Sequence, residues 1–189
     1  MTPYVAIVSL WLAWAASWIA AAFWTNRTEK RVGVKGELAY RALLIIGTLI
    51  FLPRAHGYIG PLRLWFVTRN EAWACTALVA CGFVFCWWAR VHLGTLWSGS
   101  VTKKSDHRVI DTGPYRIVRH PIYSGILFAV YATAAAKGTI PGIVGAAMIT
   151  VGLWLKARLE EGWLSRELGA GTYEAYRRRV PMLVPFGPR

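Results

Sequence analysis

Acidic residues are scarce in this chain: nine Asp and Glu stand against 22 Lys and Arg, leaving a formal charge of +13. Few carboxylates are therefore available for acid–base work. Cysteine is scarcer, and Cys75, Cys81 and Cys86 all fall in one apolar stretch at spacings that match no disulfide or metal framework. They read as packing residues. Three of the four histidines, His92, His107 and His120, share one loop, but their separations of 15 and 13 residues fit no helical ligand pair, so no metal is expected. His56 is assigned no role. Charge itself is missing from long segments, and Tyr4 to Trp24 runs 21 residues without one. A chain of 189 residues that is 56% apolar and carries eleven Trp would struggle to keep that surface from water as a soluble domain, which selects the membrane class.

A helix needs roughly 20 mostly apolar residues to cross a bilayer. Five stretches are candidates: Tyr4 to Trp24; Ala42 to Leu52, extendable back to Leu38 if Arg41 snorkels; Ala72 to Ala89; Ile122 to Ala136; and Gly138 to Leu155. The first has no basic residues before it and exceeds a signal-peptide core, so it is expected to be a retained helix. With five spans and the N-terminus outside, 18 of the 22 basic residues fall in the inner segments 25–41, 90–121 and 156–189. This is the positive-inside pattern of a cytoplasmic-membrane protein with a cytoplasmic C-terminus. The charge is then spent on orientation and anionic lipid, and no nucleic-acid partner is required.

Only Lys137, beside Gly138 and Pro141, separates the last two spans, which predicts a tight antiparallel hairpin. Gly138, Gly142 and Gly145 offer close helix contact. Past Leu155, Leu159, Trp163, Leu164 and Leu168 recur at helical spacing among charges, predicting that the fifth helix continues as an amphipathic extension until Gly169 and Gly171 stop it. A short helix from Tyr173 to Arg179 should follow and end at Val180-Pro181. The fold class expected is all-α: a polytopic membrane protein with about five transmembrane helices plus C-terminal cytoplasmic amphipathic helices. It forms one domain over 1–189, with N-terminal helices in 1–90 and the chemistry in 91–189.

The segment from His107 to Tyr123 carries the chemical signals. Gly113-Pro114 marks a turn. Pro121 pushes His120 out of helical geometry and suits the first position of the following helix. That helix should begin at the cytoplasmic boundary with its positive end beside Arg119 and His120, a place for a carboxylate or phosphate. Anchoring to lipid phosphates is the other reading. Glu160 and Glu161, at the inner end of the fifth helix, also admit two readings. Lys156 and Arg158 can pair with them along the helix, or the hairpin can bring them opposite the basic cluster and form a pocket for a zwitterionic, hydroxyl-rich ligand.

Taken in order, Gly113-Pro114-Tyr115, Arg119-His120-Pro121-Ile122-Tyr123, Glu160-Glu161, Tyr173-x-x-Tyr176 and Val180-Pro181 resemble the isoprenylcysteine carboxyl methyltransferase family and its phospholipid methyltransferase relatives. The resemblance spans about 107 to 185; the first 90 residues share only hydropathy. It implies S-adenosylmethionine in a cytoplasmic pocket roofed by the C-terminal segment, and a lipophilic or prenylated substrate entering from the bilayer. Cofactor contacts implied by the resemblance fall on Ser100, His107, Arg108, Val109, Ile110, Tyr115, Arg119, His120, Pro121, Ile122, Tyr123, Glu160 and Glu161. Arg158 and Glu161 are the residues placed at the chemistry, with Arg158 or Lys156 orienting a substrate anion. The glycine-x-glycine element of the phospholipid branch is not evident around Gly94 and Gly99. A carboxylate acceptor is already ionised, whereas an amine or phenol must lose a proton, and the thin supply of acidic residues favours the carboxylate. A phenolic lipid, a thiol or an aminolipid headgroup is the alternative acceptor, and a non-catalytic scaffold or transporter the alternative of another class.

Overall fold

The computed structural model describes residues 1–24, 28–31, 34–52, 60–97, 102–104, 110–167 and 170–187. Six helices dominate: α1 (Pro3–Ala21), α2 (Val34–Phe51), α3 (Arg69–Leu93), α4 (Pro121–Lys137), α5 (Ile140–Glu167) and α6 (Ala170–Arg179). Their boundaries follow local chemistry. Thr2 caps α1 by accepting from the Val5 amide, with Pro3 in the first turn. Thr68 and Glu71 form a reciprocal capping box that starts α3. α4 begins at Pro121 as expected, and ends where Gly138 adopts a left-handed conformation (φ 61°) that a side chain disfavours. α5 runs beyond the apolar stretch to Glu167, as its periodicity predicts.

One expectation needs correction: Gly171 does not stop a helix but lies inside α6, which begins at Ala170. The all-α class holds, with one short antiparallel pair added in the loops: β1 (Thr28–Arg31) pairs with β2 (Thr102–Lys104), Thr28 opposite Lys104 and Arg31 opposite Thr102. Both strands lie in loops that the charge pattern assigns to the same side, and their pairing joins those loops.

Helix packing is organised by glycines, though with different partners from those expected within the hairpin. A side chain on Gly145 would meet the Gly47 carbonyl at 2.8 Å, so it is α2 and α5 that approach closely there. Gly82 and Gly125 do the same for α3 and α4, with a Cβ on Gly82 falling 2.7 Å from the Gly125 carbonyl. α1 lies against α3 through an aromatic ladder in which Trp11 and Trp14 both meet the Phe83 ring, at 4.8 and 5.2 Å, and Trp18 meets Trp87 at 5.6 Å. At one end of the molecule the 60–68 segment clasps the α4–α5 turn: Leu64 donates to the Gly138 carbonyl and Ile140 to that of Leu62. At the other end, the fully buried Arg90 donates to the carbonyls of Ala21, Trp24 and Gly94, between the rings of Trp24 and Trp97. It fastens the end of α1 to the end of α3.

Among the described residues, three helices are long and apolar enough to cross a membrane, those over Pro3–Ala21, Arg69–Leu96 and Ile140–Arg166. α2 carries Lys35, Glu37 and Arg41 in its first half, and α4 has 17 residues, so neither meets that standard by itself. Leu12, Ile45, Leu49 and Val84 lie exposed along α1, α2 and α3. Such apolar exteriors are what a bilayer covers and water does not, and the chain is an integral membrane protein.

Candidate active site

The hairpin returns the chain so that the start of α4 and the C-terminal part of α5 face each other. Across that gap the side chains interlock. Arg119 donates through Nε to Glu161 Oε1 at 2.7 Å and through Nη2 to Oε2 at 3.3 Å, a two-pronged pair with both side chains at least 96% buried. His120 bridges the two carboxylates, with Nε2 3.2 Å from Glu161 Oε1 and Nδ1 3.5 Å from Glu160 Oε2. Tyr123, one turn along α4, donates its hydroxyl to Glu160 Oε1 at 2.6 Å and lies parallel to the His120 ring at 5.3 Å. Burial disfavours the imidazolium of His120, but bonding and attraction to Glu160 and Glu161 outweigh it and hold its pKa above the ordinary 6.5. The acidic pair thus faces the basic cluster of α4, and Lys156 on the same helix adds its attraction to Glu160.

A strap closes the site. The Arg119 and His120 amides donate to the carbonyls of Pro181 and Met182, and Ser124 Oγ donates to that of Leu183 at 2.5 Å. Arg119 Nη1 donates to the carbonyls of Arg177 and Val180. The Arg119 guanidinium, expected to stand open for an anion, is therefore taken up by Glu161 and by the strap, and its place is that of a fastener. On α6, Tyr176 donates to the Tyr115 carbonyl at 2.7 Å and sits beside Tyr173, both buried. Burial pushes the Tyr115, Tyr173 and Tyr176 phenols up, which keeps them neutral donors. The turn that carries Tyr115 is held by His92, whose Nε2 lies 2.8 Å from Thr112 Oγ1 and whose ring leaves no room for a Cβ on Gly113 (φ 56°).

Of the residues expected at the cofactor, Tyr115, Arg119, His120, Pro121, Ile122, Tyr123, Glu160 and Glu161 gather here. Ile122 packs with Tyr115 and Ala89, and Ile110 lies against the same cluster. Arg158 is not brought in: it is exposed, with its guanidinium over the Trp154 ring at 5.5 Å. Ser100, His107, Arg108 and Val109 lie outside the described residues. Sequence reasoning missed Ser124, Arg177, His92 and, from α2, Tyr40, whose buried ring lies 5.9 Å from the Lys156 ammonium. Only Ser124, one turn after His120, had a local signal.

These features define a helical membrane protein with a buried acid–base cluster between the start of α4 and the far part of α5, closed by its own C-terminal strap. Residues 75–164 match the sequence model of the isoprenylcysteine carboxyl methyltransferase (ICMT) family. The match runs from α3 through the hairpin to the carboxylate pair. The chain is 28% identical over 144 residues to protein-S-isoprenylcysteine O-methyltransferase B of Arabidopsis thaliana, covering 75% of this chain and 68% of that protein. It is 48% identical over 73 residues to methanethiol S-methyltransferase 2 of Bradyrhizobium diazoefficiens, and 39% over 72 residues to the methanethiol S-methyltransferase of Crocosphaera subtropica. Those two stretches cover 38% of this chain, and only 26% and 27% of the respective relatives.

Proposed function

We propose that the protein is a membrane methyltransferase that takes its methyl group from S-adenosylmethionine. The carrying observation is the interlocked Arg119–His120–Tyr123 and Glu160–Glu161 cluster, lying within the stretch that matches the ICMT family. The residues suit the cofactor. Glu160 is the more open of the two carboxylates, 18% exposed against 4% for Glu161, and a carboxylate accepts from ribose hydroxyls or from an ammonium. His120 and Tyr123 hold the carboxylates in place and add a pair of aromatic faces. When bound, the cofactor supplies an electrophilic methyl on a sulfonium. The residues then have to orient the acceptor in line with it and keep water away, the latter by means of the strap over 180–184. Tyr115, Ile122 and the remaining cluster residues serve as cofactor contacts; Ser100, His107, Arg108, Val109 and Ile110 extend the set along the preceding loop. The cluster faces the cytoplasm, in a five-span molecule with the N-terminus outside.

The acceptor we assign first is a carboxylate on a lipophilic, isoprenylcysteine-like molecule, because it is ionised at neutral pH and needs no base. Arg158, exposed beside Trp154, would orient it from the membrane surface. A thiol acceptor is the second reading, favoured by the matches to methanethiol S-methyltransferases. Purified protein incubated with methyl-labelled cofactor and either a farnesylated cysteine analogue or a small thiol decides between them. Base-labile label on the prenyl compound supports the first reading, and base-stable thioether the second. No transfer to either, with no saturable binding of S-adenosylhomocysteine, overturns the methyltransferase reading in favour of a scaffold or transporter.

A further inference from the structure

The aromatic residues around Lys156 form a second constellation next to the carboxylates. Its ammonium lies 5.2 Å from the centre of the Tyr123 ring and 5.9 Å from that of Tyr40, both within the range at which a ring face attracts a cation. Tyr123 is also the residue that donates to Glu160 at 2.6 Å, so ring faces and a carboxylate converge on the same place. Tyr40 comes from α2, which lies along α5, and its ring is almost completely buried. Two rings and an anion are the chemistry that recognises a soft, weakly hydrated monocation.

We propose that Tyr40 and Tyr123 form a cation seat that receives the cofactor sulfonium, and that Lys156 fills this seat in the ligand-free chain and is displaced from it on binding. The inference rests on the methyltransferase reading above. It assigns α2 a part in the site that neither the motifs nor the family match cover, since Tyr40 lies outside residues 75–164. The seat also distinguishes donor from product. Transfer forms a bond from the acceptor to the methyl carbon and breaks the carbon–sulfur bond, whose electron pair stays on sulfur. The sulfonium becomes a neutral thioether, the seat loses its cation, and the Lys156 ammonium returns, which favours product release.

Because S-adenosylmethionine carries the sulfonium charge and S-adenosylhomocysteine does not, the ratio of their affinities reads the seat directly. Both are titrated calorimetrically into the full chain in detergent, as wild type and as Tyr40→Leu, Tyr40→Phe and Lys156→Met variants, with thermal unfolding checked for each. Tyr40→Leu should weaken the methionine form by about tenfold while the homocysteine form changes less than about twofold. Tyr40→Phe, which keeps the ring, should restore the wild-type ratio, and Lys156→Met should tighten the charged ligand relative to the neutral one. Equal loss of both ligands in Tyr40→Leu, or an unchanged ratio in it, overturns the seat while leaving the methyltransferase reading intact. Should Tyr40→Leu fail to fold, an unchanged ratio in Lys156→Met overturns it. Absence of binding of either ligand to the wild type overturns the methyltransferase reading and the seat together.

Discussion

Glu161 accepts from Arg119 and His120 where both it and Arg119 are almost wholly buried, so neither charge can be removed without stranding the other. Breaking a buried pair from one side costs about 3–5 kcal/mol. Arg119→Ala and Glu161→Ala should each lower the unfolding midpoint in detergent sharply. In Arg119→Ala the strap should also loosen, seen as proteolytic cleavage within 177–184 that the wild type resists. Glu160, more open and bound by Tyr123 and His120, should behave differently: Glu160→Gln should fold near normally and lose cofactor affinity, measured by titration with S-adenosylhomocysteine. His120 adds a pH dependence whose sign follows from its raised pKa. Its contribution to stability is complete below the unfolded value, about 6.5, and is lost as pH rises through the higher folded value. Unfolding midpoints should therefore fall in the wild type as pH rises above the unfolded value, and the fall should flatten in His120→Gln.

At the level of elements, the site depends on two close helix contacts and one strap. A methyl group on Gly82 has only 2.7 Å to the Gly125 carbonyl, which is backbone and cannot rotate away. Gly82→Ala should thus push α4 off α3 and cost about 1–3 kcal/mol, with cofactor affinity falling as well because α4 carries Arg119, His120 and Tyr123. Tyr176→Phe removes the donor to the Tyr115 carbonyl and should cost about 1–3 kcal/mol for the buried acceptor it strands. Much of this level was legible in the sequence, and the reasons are local. Pro121 sets the start of α4, Gly138 its end, and the Leu159–Trp163 periodicity carries α5 past the apolar region. Illegible were the pairings: Gly145 reads equally well as a hairpin contact or a contact with α2, and nothing near Tyr40 marks it as a neighbour of Lys156. Side-chain occupancy was hidden too. The 119–123 motif shows that Arg119 stands at a helix start, but only the folded strap shows its guanidinium already bonded to Arg177, Val180 and Glu161.

For the molecule as a whole, the proposed five-span arrangement requires α2 and α4 to cross as well as the three long apolar helices. α2 and α4, with 18 and 17 residues, extend roughly 27 and 26 Å at 1.5 Å per residue, a few ångströms short of a hydrocarbon core of about 30 Å. Neither stands alone, since α2 lies along α5 and α4 along α3, and local thinning costs only fractions of a kcal/mol per ångström. The contacts at the ends alternate as a threaded chain requires. The Tyr4 hydroxyl reaches the Ala136 carbonyl and the 60–68 segment clasps the Gly138 turn, while Arg90 holds the far end of α1 and β1 pairs with β2. The basic residues concentrate at that second end, where the carboxylate pair lies, and the proposed orientation puts this end on the cytoplasmic side. Single cysteines placed at Arg63 and at Arg178, on a background with the three native cysteines replaced, should react on opposite sides. An impermeant maleimide added to intact cells should label position 63 and spare 178 until the membrane is opened. Labelling of both from outside would mean that α2 or α4 does not cross, and labelling of 178 alone would invert the molecule and put the cluster on the outer face.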